Sequence, residues 1–137
     1  MILTKRFIID TNSLISGLLI KNSTTFKAME KARTTGELLF SEETFLEFEL
    51  VLLRRKFDRY FLNDERLQII ERFYREANFV TVNSNLTACR DPKDDKFLNL
   101  AIDANVDCII TGDDDLLVLH PFRGIPILSP ADFFNLN

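Results

Sequence analysis

The sequence of 137 residues has two cysteines, one histidine, four glycines, four prolines and no tryptophan. Two thiols, Cys89 and Cys108, are too few for a disulfide framework or a four-thiolate metal site. They read as free thiols of a cytoplasmic protein, and no neighbouring His–Cys arrangement makes either a nucleophile. A single histidine, His120, excludes chemistry that needs several; placed before Pro121 in a turn, it reads as structural. No apolar run approaches the roughly 18 residues needed to cross a membrane. The opening Met1-Ile-Leu-Thr-Lys-Arg has basic residues, but polar residues return at Asp10 to Ser13 before an apolar stretch of signal-peptide length has accumulated. There is no internal repeat, low-complexity segment or linker.

What is present is a core. Hydrophobic residues make up 46% of the chain, which fits one folded domain over residues 1–137 rather than a disordered chain. The formal charge of −4 is unevenly spread: residues 1–90 hold 14 Lys/Arg against 12 Asp/Glu, and residues 91–137 hold 3 against 9. The acidic excess therefore belongs to the last third. Overall acidity argues against a wide nucleic-acid-coating surface, but not against a partner that reaches an acidic site through bound cations.

Short apolar runs alternate with helical patterns. Phe7-Ile8-Ile9, Leu38-Leu39-Phe40, Phe79–Val82, Cys108–Thr111 and Ile125–Leu128 read as strands, the last as an edge because it holds Pro126. Helices are expected after Asp10, from Ser23 to Arg33, from a Ser41 cap, from Asn63, after Asp95, around Leu116, and from Ser129-Pro130-Ala131-Asp132, with proline at N1. In the Asn63 helix, Leu67, Ile70, Phe73, Tyr74 and Ala77 are expected inward. Buried, non-alternating strands between helices predict a three-layer α/β/α domain around a mainly parallel sheet of four or five strands.

In such sheets functional residues gather beyond the carboxyl ends of strands. That rule selects Asp10, Glu47, Asp95 and Asp113, four carboxylates from distant parts of the chain. Held together they repel, and Mg²⁺ or Mn²⁺ bound by oxygen ligands relieves the repulsion. Metal-assisted phosphodiester hydrolysis is the natural chemistry. Thr11, Asn12, Ser13 and Thr111 are placed to orient water or phosphate. Asp115 either assists or caps the next helix. Each acid also has a plainer reading: Asp10 as a turn residue, Glu47 as a surface helix residue, Asp91, Asp94 and Asp95 as helix caps, and Asp113–Asp115 as a solvated turn. Arg54, Arg55 and Lys56, with Arg59, either contact RNA phosphates or form a solvated helix end. Phe57, Tyr60 and Phe61 either stack on bases or pack on a neighbouring helix.

These blocks resemble the PIN domain family, in its branch described as toxin components of toxin–antitoxin systems. The resemblance spans nearly the whole chain: Phe7–Leu19, Ser41–Phe57, Arg90–Ala101, Ile109–Leu117 and Ile127–Phe133, in that order. It implies an α/β/α fold and a Mg²⁺- or Mn²⁺-dependent endoribonuclease site, with the family acids on Asp10, Glu47, Asp95 and Asp113. It places the small polar residue on Thr11 or Asn12, and a less uniformly used acid on Asp115. It further implies an RNA substrate, an inhibitory antitoxin partner and a homodimer. The alternative is a non-catalytic RNA-binding or protein-interaction domain that keeps the acidic rim. A phosphorylated receiver domain fits poorly, because the middle strands offer no isolated acceptor aspartate and no lysine follows the later ones. Dinucleotide binding also fits poorly, because Asp10-Thr11-Asn12-Ser13 stands where a glycine-rich turn is needed.

Overall fold

The computed structural model describes residues 4–136, so residues 1–3 and 137 of the expected domain lie outside the described residues. The elements run β1 (Lys5–Ile9), α1 (Thr11–Leu19), α2 (Thr24–Thr35), β2 (Gly36–Phe40), α3 (Glu42–Leu52), α4 (Asn63–Glu76), β3 (Asn78–Phe79), α5 (Asp95–Ala104), β4 (Cys108–Ile110), α6 (Asp114–Leu117), β5 (Ile127–Leu128) and α7 (Pro130–Phe134). Single 3₁₀ turns cover Arg55–Phe57 and Pro92–Asp94.

Five strands form one sheet in the order β3-β2-β1-β4-β5, with every pairing parallel. β5, with Pro126 before it, is an edge strand as expected. The period-two pleat divides the side chains between two cores. Phe7, Ile9, Leu38, Phe40, Cys108 and Ile110 pack with residues of α1, α2, α3, α4 and α7 on one face. Ile8, Leu39 and Ile109 pack with α5 and α6 on the other. This is the three-layer α/β/α arrangement that the sequence predicts.

Local chemistry sets the helix starts. Ser23 Oγ accepts from the Phe26 N–H, and Ser129 Oγ from the Asp132 N–H. Ser41 and Thr44 bond reciprocally across the first turn of α3, satisfying two amides that the helix itself leaves unpaired. Gly36 is needed for close approach: a Cβ there would lie 2.4 Å from the Lys5 carbonyl oxygen and 2.8 Å from the Phe7 ring.

Two expectations need correction. The third strand stops at Phe79, and the chain from Val80 to Cys89 runs on outside the sheet. The inward stripe of α4 holds only in part: Phe73 is buried and Ile70 and Ala77 pack on the core, but Leu67 is 50% and Tyr74 61% exposed, and Arg66 is buried instead. Arg66 takes the inward position because its guanidinium donates to the Leu52 and Arg54 carbonyls and to Asp58 Oδ1 at 2.8 Å. It thereby satisfies carbonyls at the end of α3, a role that its charge conceals in a hydrophobicity pattern.

Candidate functional site

β1 and β4 are paired with Ile9 opposite Ile110. Asp10 and Thr111 therefore leave the sheet side by side at its carboxyl edge. Asp10 is 4% exposed, and its Oδ1 meets no hydrogen-bond partner. Burial pushes its carboxyl above the usual aspartate range; Ser13 and Thr111 pull it back, and the charge of Asp113 pushes it up further. The exit from β4 is pinned by hydroxyls. The Gly112 N–H donates to Ser13 Oγ at 3.0 Å, and the Asp113 N–H to Thr111 Oγ1 at 2.9 Å.

Asp113 has two roles. Its Oδ1 accepts from the Asp115 N–H at 2.9 Å, which caps α6. It also stands with Asp94 and Asp115, each of the three offering a carboxylate oxygen within 4.8 Å of the others. The Asp94 carboxyl is pushed up to about 7, first by burial, then by a hydrogen bond to Asp113 and by the charges of Asp113, Asp91 and Asp10. Like charges in such proximity hold a proton unless a cation takes its place. A cavity of about 400 Å³, lined by Asp10, Asn12, Ser13 and Asp113 among others, opens beside the cluster.

Glu47 lies beside this group with both oxygens engaged. The Thr11 hydroxyl donates to Oε1. Lys96 Nζ lies 2.8 Å from Oε2. The pair ties α3 to α1 and α5, because Lys96 stands in the first turn of α5 and its ammonium also donates to the Lys93 carbonyl. Lys96 was not selected from the sequence. Its signal there is weak, a single lysine after a run of acids at a helix start.

Asp95 is the main departure from expectation. Its Oδ1 accepts from the Ala88 and Cys89 N–H groups at 2.9 and 2.8 Å, and these bonds hold its carboxyl below the usual range despite burial. Asp94, one residue earlier, supplies the carboxylate that meets Asp113 and Asp115. Asp95, Asn99 and Asp103 are spaced by four along α5, so they share one face. Together they hold the loop from Asn83 to Cys89: Asn99 Oδ1 accepts from the Leu86 N–H, and Asp103 from the Asn83 and Ser84 N–H groups. The sequence signal for this was the Asp–Asn–Asp spacing itself.

The remaining candidates separate by burial. Thr111 is fully buried and supports Asp113 rather than facing a substrate. Thr11 is buried against Glu47, whereas Asn12 is exposed at the mouth of the smaller cavity. Arg54 and Arg55 are exposed just beyond the end of α3, Arg55 in the 3₁₀ turn that follows it. His120 Nδ1 accepts from the Ile127 N–H and secures β5. Burial pushes both thiols up to about 12, which fits their expected place as fold residues.

The donor set suits a hard divalent cation. It is all oxygen, it crowds Asp94, Asp113 and Asp115, and it keeps a buried, unpartnered oxygen on adjacent Asp10. No helix among the described residues is long and apolar enough to cross a membrane.

Comparisons with known proteins agree with this fold. The chain is 32% identical over 117 residues to the uncharacterized protein MJ1680 of Methanocaldococcus jannaschii, covering 84% of this chain and 75% of that one. The crystal structure of PAE2754 from Pyrobaculum aerophilum is similar with a TM-score of 0.62 over 95% of this chain and 93% of that one; at 12% identity it supports the fold alone. Residues 6–115 match the PIN domain model, a span that includes all of β1 but Lys5, the Glu47 helix and the whole aspartate cluster, and the chain therefore belongs to the PIN domain family.

Proposed function

We propose that this chain is a Mg²⁺- or Mn²⁺-dependent endoribonuclease, acting as the toxin component of a toxin–antitoxin pair. The observation that carries the reading is the convergence of Asp94, Asp113 and Asp115 beside a buried Asp10 that has an unpartnered oxygen. In this reading Asp10, Asp94, Asp113 and Asp115 hold the cation. When bound, a divalent cation lowers the pKa of water and stabilises the leaving oxygen of a phosphodiester.

The protein's own contribution is placement. β1 and β4 present Asp10 and Asp113 from one edge, and Thr111 and Ser13 fix the loop between them. Glu47, held by Thr11 and Lys96, supplies a fixed charge at the side of the cluster. Neither thiol is needed as a nucleophile, and His120 is engaged in β5. RNA as substrate, an antitoxin that covers the acidic rim, and a homodimer belong to the same proposal.

The test is cleavage of a mixed single-stranded RNA panel in Mn²⁺ or Mg²⁺, with a chelator control and Asp10→Asn purified identically. Metal-dependent cutting by the parent and none by the variant is expected. Absence of cutting by folded, metal-loaded parent protein would overturn the activity and favour a binding domain.

A further inference from the structure

The carboxylates at the edge of the sheet fall into two sets. Asp94, Asp113 and Asp115 converge beside the unpartnered oxygen of Asp10, and among the described residues no lysine or arginine is ion-paired with any of the four. Glu47 already has a cation, the Lys96 ammonium 2.8 Å from its Oε2, and its Oε1 accepts from the Thr11 hydroxyl. We propose that Lys96 is a positioning residue of this centre: it holds Glu47 apart from the divalent cation, so that the aspartates take a single ion. The proposal rests on the metal-dependent reading of the site and extends it to the role of Glu47 and the number of ions.

Three observations support it. First, Lys96 is in an unfavourable place for its own helix. It is the second residue of α5, where the unpaired amides of a helix start disfavour a positive charge. Helix formation therefore does not account for a lysine at this position, whereas a carboxylate on the facing helix does.

Second, the ammonium is committed. The Lys96 side chain is only 11% exposed, and Nζ donates to the Lys93 carbonyl and lies 5.4 Å from the centre of the Phe97 ring. A largely buried ion pair is costly to break from one side, because the charge left behind has neither partner nor water. An ion binding at Glu47 would first have to expel this ammonium. Substrate does not account for Lys96 either. The larger concavity that it lines, of about 880 Å³, shares its wall with Glu42, Glu43 and Asp95 and with no other lysine or arginine.

Third, the aspartates suit one position. Oxygens of Asp94, Asp113 and Asp115 all lie within 4.8 Å of one another, a span that surrounds one ion. A pair of ions about 3.5–4 Å apart needs carboxylates on both flanks, and on the α3 flank Glu47 is already neutralised from α5 and held from α1.

The experiment is a Mn²⁺ titration of chelator-stripped protein, with free ion read by electron paramagnetic resonance and bound ion counted per chain. It needs no RNA. The parent is expected to bind one ion. Lys96→Met keeps an unbranched side chain without the charge and should bind two, the second at Glu47. Lys96→Arg should restore one, and Glu47→Gln added to Lys96→Met should remove the second. A loosened fold does not create a metal site, so the gained ion separates positioning from a structural role. Melts in chelator verify folding, and Lys96→Gln replaces the methionine variant if that one does not fold. Two ions on the parent, or one on the folded charge-removed variant, overturn the proposal and leave the metal centre standing. No ion on the parent overturns the metal centre and the proposal with it. RNA cleavage is scored separately: no cutting by a parent that binds one ion, beside a Lys96→Met that binds two, counts against the ribonuclease and upholds the role of Lys96.

Discussion

Asp94 and Asp95 are adjacent in the chain and serve different partners. Asp94 joins Asp113 and Asp115 across the carboxyl edge of the sheet, whereas Asp95 accepts the Ala88 and Cys89 amides and anchors a loop. The change of direction comes at the junction of the Pro92–Asp94 turn and α5, where successive side chains leave at different angles. One of these carboxylates is destabilised by its neighbours, and the other is stabilised by two N–H groups.

Their replacement should therefore have opposite effects on the metal-free protein. Asp94→Asn removes a charge from a repelling group, so melts in chelator should show an unchanged or higher Tm, with Mn²⁺ affinity lowered at least tenfold. Asp95→Ala removes the acceptor of two part-buried amide hydrogen bonds, each contributing about 1 kcal/mol net, so its Tm should fall by several degrees. Equal destabilisation by the two would show that Asp94 is also a structural acceptor.

Much of the architecture was legible in the sequence, and the reasons are local. Ser23, Ser41 and Ser129 each cap the helix expected from them, because capping depends on one residue and the amides within three positions of it. The parallel sheet followed from short, fully apolar strands between helices. Asp10 and Asp113 were placed correctly at strand ends, since strand direction alone fixes the edge they share. What failed required knowing the third dimension. Asp94 and Asp95 have the same chemistry and differ only in direction. Arg66 gave no signal in the sequence, because its carbonyl partners at Leu52 and Arg54 lie 14 and 12 residues away. The partnership of Glu47 with Lys96 joins two helices 49 positions apart in sequence and leaves no periodic trace.

The loop after β3 offers a test of the α5 face. Asn99 bonds Leu86 through both its oxygen and its nitrogen, and Asp103 receives two amides together with the Ser84 hydroxyl. Asn99→Ala should accelerate hydrogen exchange at Leu86 and its neighbours while the strand amides of β1 and β4 keep their protection. Uniform acceleration through the sheet would mean that the loop unfolds only with the whole domain.

Gly36 is a steric requirement rather than a conformational one, because its backbone is extended and open to any residue. A methyl group would meet the Lys5 carbonyl and the Phe7 ring on the neighbouring strand. Gly36→Ala should lower stability by about 1–3 kcal/mol, the usual cost of forcing an extra carbon into a packed site. Chemical denaturation should show a lower midpoint with the same m-value. A midpoint unchanged from the parent would mean that β1 and β2 separate at little cost.

The raised carboxyls give the metal-free protein a definite pH dependence. Asp94 lies up at about 7 against an ordinary aspartate value of 3.8, and Asp10 is shifted the same way. Between those values the folded protein holds protons that the unfolded chain has released, so stability falls as pH rises. The contribution of Asp94 is complete below about pH 4 and lost as pH passes about 7, and that of Asp10 has the same sign. A divalent cation replaces those protons, so binding it at pH 6 should release about one proton more than binding it at pH 8. Calorimetric titration of Mn²⁺ in two buffers of different ionisation enthalpy measures that difference. Asp94→Asn should abolish most of it, because the residue that holds the proton at pH 6 is gone. Equal proton release at both pH values in the parent would show that Asp94 is already ionised in the folded protein and that the acids repel one another less than their placement implies.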